Sequence, residues 1–465
     1  MKVKLIAAAV ASFAALAAQA APLASNTTPA YVIYVSGASA QKQALENSVA
    51  NVVCDTPADA RWFKETTSGN SSEGMLCKAK TTFAGAASGT NLLVVYSSQN
   101  GSAAGVNQVL SIAAIPTETE SNVLTLPCGN VAGGATAGAA TVLTCLANTE
   151  SKLALSDVLP YELVPGAVDE TKGRTLADLN GVITALQGFG VIAGLSGTYD
   201  SATDTFNSTD NMYRKLQEQN VAEGLLLSAC TTGAYATVTN ASRACQPSIK
   251  KTEYASLVSV EGSIKSPAKL LPNVTIPAGT KVVVQRRVFT SGTQASSNLY
   301  FLNNRCANDA SLAGNLNPKG TTSTAAYKVV ENPQTGDVRN NVAAGLAGEW
   351  TIGVVSLDNA DNSGTSTKWR FVKLDGVSAN VKTDGTTDAK NRVALQNGRY
   401  GFAFEMSAMT PTDLDSDRQE VTDAIVAGLT DSTASDLTGI AYLDGAVAAK
   451  QARLRRNGNN CAPLN

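Results

Sequence analysis

Lys281-Val282-Val283-Val284-Gln285-Arg286-Arg287-Val288-Phe289-Thr290-Ser291-Gly292-Thr293 is the stretch on which the reading of this chain turns. Its first seven residues are rich in β-branched side chains and read as a strand. Gln294 to Asn303 reads as the helix after its turn, so the segment is one strand-turn-helix unit of an α/β protein. The turn itself carries chemistry. A helix N-terminus presents unpaired backbone N–H groups and a partial positive charge. Gly292 lets the backbone approach a ligand, Ser291 and Thr293 add hydroxyl donors, and Arg287 adds a full charge. Together these residues suit an anion. They equally suit a capped helix with Arg287 in solvent, and the stretch alone leaves both readings open.

The same pattern recurs to either side. Tyr31-Val32-Ile33-Tyr34-Val35 is a β-rich run leading into Ser36-Gly37-Ala38-Ser39-Ala40, and a helix is expected over Gln41 to Val53. Asn91 to Tyr96 reads as a strand, Ser97 to Ser102 as a turn, and Ala103 to Ile112 as a helix. Phe189 to Leu195 and Thr351 to Val355 read as buried strands. Asn211 to Leu227 reads as an amphipathic helix with Met212, Leu216 and Val221 among its apolar positions. The alternation predicts an α/β fold. In open α/β sheets ligands bind at the carboxyl ends of strands, where three hydroxyl-rich junctions of this kind can converge.

Compartment and size are set elsewhere. Lys2 and Lys4 precede an apolar stretch from Leu5 to Ala18, and Ala18-Gln19-Ala20 supplies small residues for cleavage after Ala20. Residues 1–20 are therefore expected to be a signal peptide, and the mature protein to be soluble and periplasmic or secreted. The apolar stretch is shorter than the ~20 residues of a spanning helix. Loss of the two lysines moves the formal charge from −2 to −4. Basic runs interleaved with aromatics are absent, which argues against a nucleic-acid partner. The remaining chain is too long for one ordinary core, so two or more lobes are expected.

Eight cysteines remain in the mature chain: Cys54, Cys77, Cys128, Cys145, Cys230, Cys245, Cys306 and Cys461. An even number in an exported protein predicts disulfides. Sequence neighbours give the pairs 54–77, 128–145 and 230–245, leaving 306–461 by elimination. The Gly/Ala/Thr-rich stretch from Pro116 to Glu150 is expected to be a disulfide-closed surface insertion. Several chemistries are excluded. The chain has no histidine, so Ser-His-Asp and Cys-His catalysis and His-ligated zinc are ruled out. Gly133-Gly134 and Gly138 lack the Gly-Lys-Ser/Thr ending of a P-loop. Asp413, Asp415 and Asp417 have calcium-loop spacing, yet Arg418 and Ala424 stand where such a loop needs Gly and Glu. An acidic helix start is the better reading. Ser266 and Lys269 are interrupted by Pro267 and read as a loop. No metal, cofactor or enzymatic activity is expected.

Taken together, these motifs resemble the phosphate-binding proteins of ABC importers, which have a two-lobed type II periplasmic binding protein fold. Ser36 to Ala40 resembles the family's first loop. Gly101-Ser102 through Gln108 is similar to its Ser/Gly-rich second loop. Leu155-Ser156-Asp157-Val158-Leu159-Pro160 resembles its Ser-Asp-x-Pro segment with one residue added. Arg287 followed by Ser291-Gly292-Thr293 matches its Arg-x-x-x-Ser-Gly-Thr motif, the most specific of the four. The resemblance runs from about residue 31 to residue 358, in the family's order. By position it implies hydroxyl donors at Ser39, Ser102, Ser291 and Thr293, backbone donors at Ala40 and Gly292, and the charge at Arg287. It implies at Asp157 a carboxylate that tolerates only a proton-bearing anion; a cap ahead of Pro160 is the other reading of that residue.

The implied organisation is one lobe from 22–186 plus 352–465 and a second from 187–351. The implied function is capture of an oxyanion, foremost phosphate, by a monomer that delivers it to an ABC permease. This sequence departs from the family at Ala40, where an aromatic is usual, and at Ala103-Ala104. The insertion and the tail after residue 358 have no counterpart. These departures motivate the alternative of a secreted or surface interaction protein that keeps the fold without small-ligand transport.

Overall fold

Most of the strands are buried along nearly their whole length rather than alternately, the pattern of strands covered on both faces. The computed structural model describes residue 23 and residues 29–443, except 65–71, 84–87, 99, 113–151, 172, 196–198, 201–204, 207–209, 232–243, 261, 304–321, 347, 360–367, 383–387 and 434–436. Strand β1 (Tyr31–Gly37) leads to helix α1 (Lys42–Ser48). Strands β2 (Arg61–Lys64), β3 (Ser72–Lys78) and β4 (Asn91–Ser97) follow, then α2 (Gly101–Leu110), β5 (Leu153–Ser156) and β6 (Leu179–Gly194). Beyond them lie β7 (Lys281–Arg287), α3 (Gly292–Leu302), β8 (Tyr327–Asn332), α4 (Thr335–Ala343) and β9 (Glu349–Ser356). Strand β10 (Ala403–Pro411) and α5 (Ser416–Thr430) complete the framework.

Among the described residues these strands join in one mixed sheet, in the order β8-β7-β9-β6-β10-β5-β1-β4-β3-β2. Strand β1 is parallel to both β4 and β5, with Val35 beside Tyr96 and Leu153. Strand β7 is parallel to both β8 and β9. Strand β6 joins the two groups. Its first part, to Gly188, runs antiparallel to β10, and its second part, from Phe189, runs antiparallel to β9. The two parallel groups are thus stacked end to end along β6. Following strand directions through β6, the carboxyl end of β7 points at the carboxyl ends of β1, β4 and β5. That placement follows from one strand being long enough to cross between the groups.

Two apolar clusters cover the sheet. Ile33, Val35, Leu45, Leu92, Val94 and Ile425 belong to one, and Val282, Val284, Trp350, Ile352, Phe371 and Phe404 to the other. Each such side chain contributes about 1.5–3 kcal/mol on full burial. Trp350 satisfies its indole N–H on Asp210 at 2.9 Å. The disulfides Cys54–Cys77 and Cys230–Cys245 are present. The expected pairs 128–145 and 306–461, the insertion over 116–150 and residues 1–20 lie outside the described residues. Among the described residues no helix is long and apolar enough to cross a membrane.

Three element boundaries differ from expectation. The strand expected over Phe189 to Leu195 begins ten residues earlier, at Leu179. Asn180, Gly181, Thr184 and Gln187 interrupt the apolar run, and only pairing to β10 makes that part a strand. The helix expected over Asn211 to Leu227 spans Met212–Ala222. The Asn211 side chain caps its start by accepting from the Arg214 N–H, and Gly224, at φ 72°, stops it. Glycine occupies that left-handed conformation without a Cβ clash. The helix expected over Gln41 to Val53 divides into a 3-10 turn at Ser39–Gln41, α1, and a wider π turn at Val49–Val53 ahead of the disulfide-bonded Cys54. The acidic cluster is a helix start. Asp415 caps α5 on the Arg418 N–H at 3.0 Å, and Asp413 holds Arg174 through two 3.0 Å hydrogen bonds.

Candidate functional site

The site lies where β1, β4, β5 and β7 end. Strand β1 closes on Gly37, whose φ of 127° suits glycine. A Cβ on Gly105 of α2 would stand 2.6 Å from the Gly37 Cα, so the two glycines let α2 lie directly on the end of β1. The Ala38 N–H donates to the Leu155 carbonyl at 2.8 Å, joining the ends of β1 and β5. Gln41, fully buried, fixes the same junction. Its amide donates to the Ser156 carbonyl at 2.7 Å, and the Thr184 hydroxyl donates to its Oε1 at 3.4 Å.

Asp157 follows β5 and is 2% exposed. Its N–H donates to the Ser102 hydroxyl at 3.2 Å, and Thr293 of α3 donates its hydroxyl to the carboxylate Oδ2 at 3.3 Å. A Cβ on Gly292 would stand 2.2 Å from the Ser102 Oγ and 2.7 Å from the Asp157 Cβ. The N-terminal turns of α2 and α3 therefore meet over Asp157, and the Ala103 N–H donates to the Thr290 carbonyl at 2.9 Å. Ser291, the residue before α3, is buried beside them and makes no side-chain cap. The side chains of Ser102 and Asp157 fill the space that a Cβ at position 292 would need, so a larger residue there must push them aside.

Arg287 ends β7 and is 3% exposed. Its Nη1 donates to the Thr335 hydroxyl at 2.6 Å and its Nη2 to the Pro333 carbonyl at 2.9 Å. A small cavity behind it is lined by Arg287 and Thr293 with Gln285, Ser297, Tyr254 and Val284. Two buried atoms at this junction have no hydrogen-bond partner among the described residues, the Asp157 Oδ1 and the Arg287 Nε. Buried polar atoms are nearly always paired, so such orphans mark a place for another polar group.

The electrostatics follow from burial. Desolvation pushes the Asp157 carboxyl up to about 7, with Asp358 adding to the rise, while Arg287 and the Thr293 hydrogen bond pull the other way. Desolvation likewise lowers Arg287 to about 10, opposed by Asp157 and Asp337. The junction thus holds one fixed cation, one carboxyl that gains or loses a proton near neutrality, the hydroxyls of Ser102, Ser291 and Thr293, and two helix N-termini.

Structural neighbours of this chain include proteins named for phosphate binding. A phosphate ABC transporter substrate-binding protein with bound phosphate from Clostridium perfringens aligns at 13% identity over 85% of this chain and 92% of its own, with a TM-score of 0.41. A phosphate-binding protein from Stenotrophomonas maltophilia aligns at 12% identity over 86% and 83%, with a TM-score of 0.38. PstS from Borrelia burgdorferi aligns at 12% over 87% and 94%, with a TM-score of 0.33. No protein-family model matches the chain, and no curated protein matches it.

The structure brings together Ser102, Asp157, Ser291, Gly292 and Thr293, with Arg287 on the same loop-bearing strand. Ser39 and Ala40 open the 3-10 turn after β1, Ser39 half-buried and Ala40 buried. No hydrogen bond joins Ser39 to the Asp157–Thr293 group among the described residues. Sequence reasoning missed Gln41, Pro333 and Thr335. Gln41 and Thr335 are ordinary polar residues at helix starts, and only their three-dimensional contacts give them a part in the site.

Proposed function

We propose that this chain is a solute-binding protein that closes two lobes on an oxyanion, phosphate above all. The observation that carries the reading is the pair of buried, unpartnered atoms, Asp157 Oδ1 and Arg287 Nε, beside two facing helix N-termini. A tetrahedral anion carrying one proton satisfies every group there. Its charged oxygens accept from Arg287, from the hydroxyls of Ser39, Ser102 and Ser291, and from the N–H groups of Ala40 and Gly292, with Thr293 closing the cage once its hydroxyl turns from Asp157. Its proton goes to Asp157. A carboxylate beside an anion repels it unless a proton lies between them, so Asp157 favours hydrogen phosphate over sulfate. Hinge motion about the crossing strands would open and close the cleft between a lobe of 22–186 plus 352–465 and a lobe of 187–351. The protein so used is a periplasmic monomer that hands its ligand to an ABC permease and catalyses no reaction.

The test is calorimetric titration of the folded, ligand-free mature protein with inorganic phosphate. Saturable binding that Arg287→Ala abolishes is the expected result. Absence of any heat with phosphate from correctly folded protein overturns the reading.

A further inference from the structure

Two adjacent arginines of β7 are treated in opposite ways. Arg286 and Arg287 face opposite sides of the sheet, as successive strand residues do. Arg286 donates through Nη2 to the Glu331 carboxylate at 2.6 Å, an ion pair. Among the described residues Arg287, more deeply buried, donates only to neutral acceptors, the Thr335 hydroxyl and the Pro333 carbonyl. An acid stands in the same turn, yet it is occupied elsewhere. The Asp337 carboxylate accepts from the Gln334 N–H at 3.1 Å and closes the first turn of α4. It acts on Arg287 only through space.

Burial by itself favours giving a guanidinium a carboxylate partner, because an uncompensated charge is costly away from water. Position 335 is within hydrogen-bond reach of Arg287 and holds a hydroxyl instead. We propose that Thr335 and the Pro333 carbonyl form a neutral brace that fixes the Arg287 guanidinium while leaving its charge for the bound anion. Thr335 is thus a positioning residue. The inference deepens the phosphate-binding reading and rests on it.

The physics separates orientation from charge. Two neutral acceptors fix the plane of the guanidinium, so its remaining N–H groups meet a ligand without reorganisation. A carboxylate at the same place would orient it equally well but cancel most of its field in a poorly screened site. Replacing the hydroxyl by a methyl loses orientation and keeps charge; replacing it by a carboxylate does the reverse.

The experiment is phosphate calorimetry on wild type, Thr335→Val, Thr335→Ser and Thr335→Asp, with thermal midpoints of the ligand-free proteins. Thr335→Val should weaken phosphate roughly tenfold, the size of one charged hydrogen bond. Thr335→Ser should restore wild-type affinity, which a purely packing role for the threonine would not do. Thr335→Asp should bind more weakly than Thr335→Val. Wild-type affinity in Thr335→Val, or undiminished affinity in Thr335→Asp, overturns the brace while leaving the phosphate reading intact. If Thr335→Val does not fold, the Ser and Asp variants decide by the same criteria. A wild-type protein that ignores phosphate overturns both.

Discussion

The Thr293 hydroxyl donates to the Asp157 carboxylate at 3.3 Å, joining the start of α3 to the loop after β5 across 136 residues of chain. That contact occupies Oδ2 and leaves Oδ1 buried without a partner. In its ionised form an acceptor held in this way can take a proton from a ligand but cannot tolerate a bare anionic oxygen. Asp157→Asn turns the acceptor into a group that can donate. The ratio of sulfate to phosphate affinity, measured by calorimetric competition, should rise by at least roughly tenfold. An unchanged ratio would remove Asp157 from its assigned part in selectivity.

Gly292 sets how closely the two halves approach. With a Cβ only 2.2 Å from the Ser102 Oγ and 2.7 Å from the Asp157 Cβ, alanine fits only if α3 and the β5 loop separate. Gly292→Ala should therefore fold normally, bind phosphate more than roughly tenfold more weakly, and show a larger radius of gyration in solution at saturating phosphate. Gly181→Ala is the control. Its Cβ would meet only the Met409 side chain, at 4.0 Å, and neither quantity should change.

The Cys54–Cys77 disulfide closes a loop of 23 residues between the helical segment after β1 and β3, the strand next to the sheet edge. Both cysteines are buried. Constraining the unfolded chain to this extent contributes about 2–4 kcal/mol. The Cys54→Ala/Cys77→Ala double variant should lose that much in urea unfolding. Its phosphate affinity should stay unchanged, because Cys77 pairs with Leu92 near the amino end of β4, away from the carboxyl ends where the site lies. A variant as stable as wild type would show that packing alone holds this edge.

Legibility in the sequence followed the range of each interaction. β1 and β4 hold apolar runs, β7 carries the β-branched run Val282 to Val284, and the strongest motif, Arg287 to Thr293, sits at a strand end. The mixed α/β architecture was readable for that reason. The first part of β6 was not, since residues such as Asn180 and Gln187 become strand only by pairing with β10, more than two hundred residues away. Arg287 was legible as a charge, but its partners Thr335 and Pro333 were not. A threonine at a helix start has many ordinary uses, and only the fold brings this one to the guanidinium. Gln41 was hidden likewise, because its role depends on a carbonyl 115 residues away.

Asp157 should also govern how stability responds to pH. Its carboxyl titrates near 7 in the folded protein against an ordinary value of 3.8, raised chiefly by burial. Below about pH 4 both folded and unfolded chains hold this proton, so it adds no pH dependence. Between about 4 and 7 the folded protein keeps the proton and the unfolded chain releases it. Unfolding therefore becomes easier as pH rises through that window, and levels off above it. The full effect is at most roughly 4 kcal/mol. Asp178 and Asp413 are shifted down by hydrogen bonds to Thr175 and Arg174, so their contribution is lost only at more acidic pH and runs with the opposite sign. Urea titrations of ligand-free protein should give a lower midpoint at pH 7.5 than at pH 5, and Asp157→Asn should flatten the difference. Excess phosphate should flatten it in wild type as well, because the anion's proton meets the carboxylate that burial otherwise disfavours. An Asp157→Asn protein with the same slope as wild type would mean that the carboxyl is not held away from water at all.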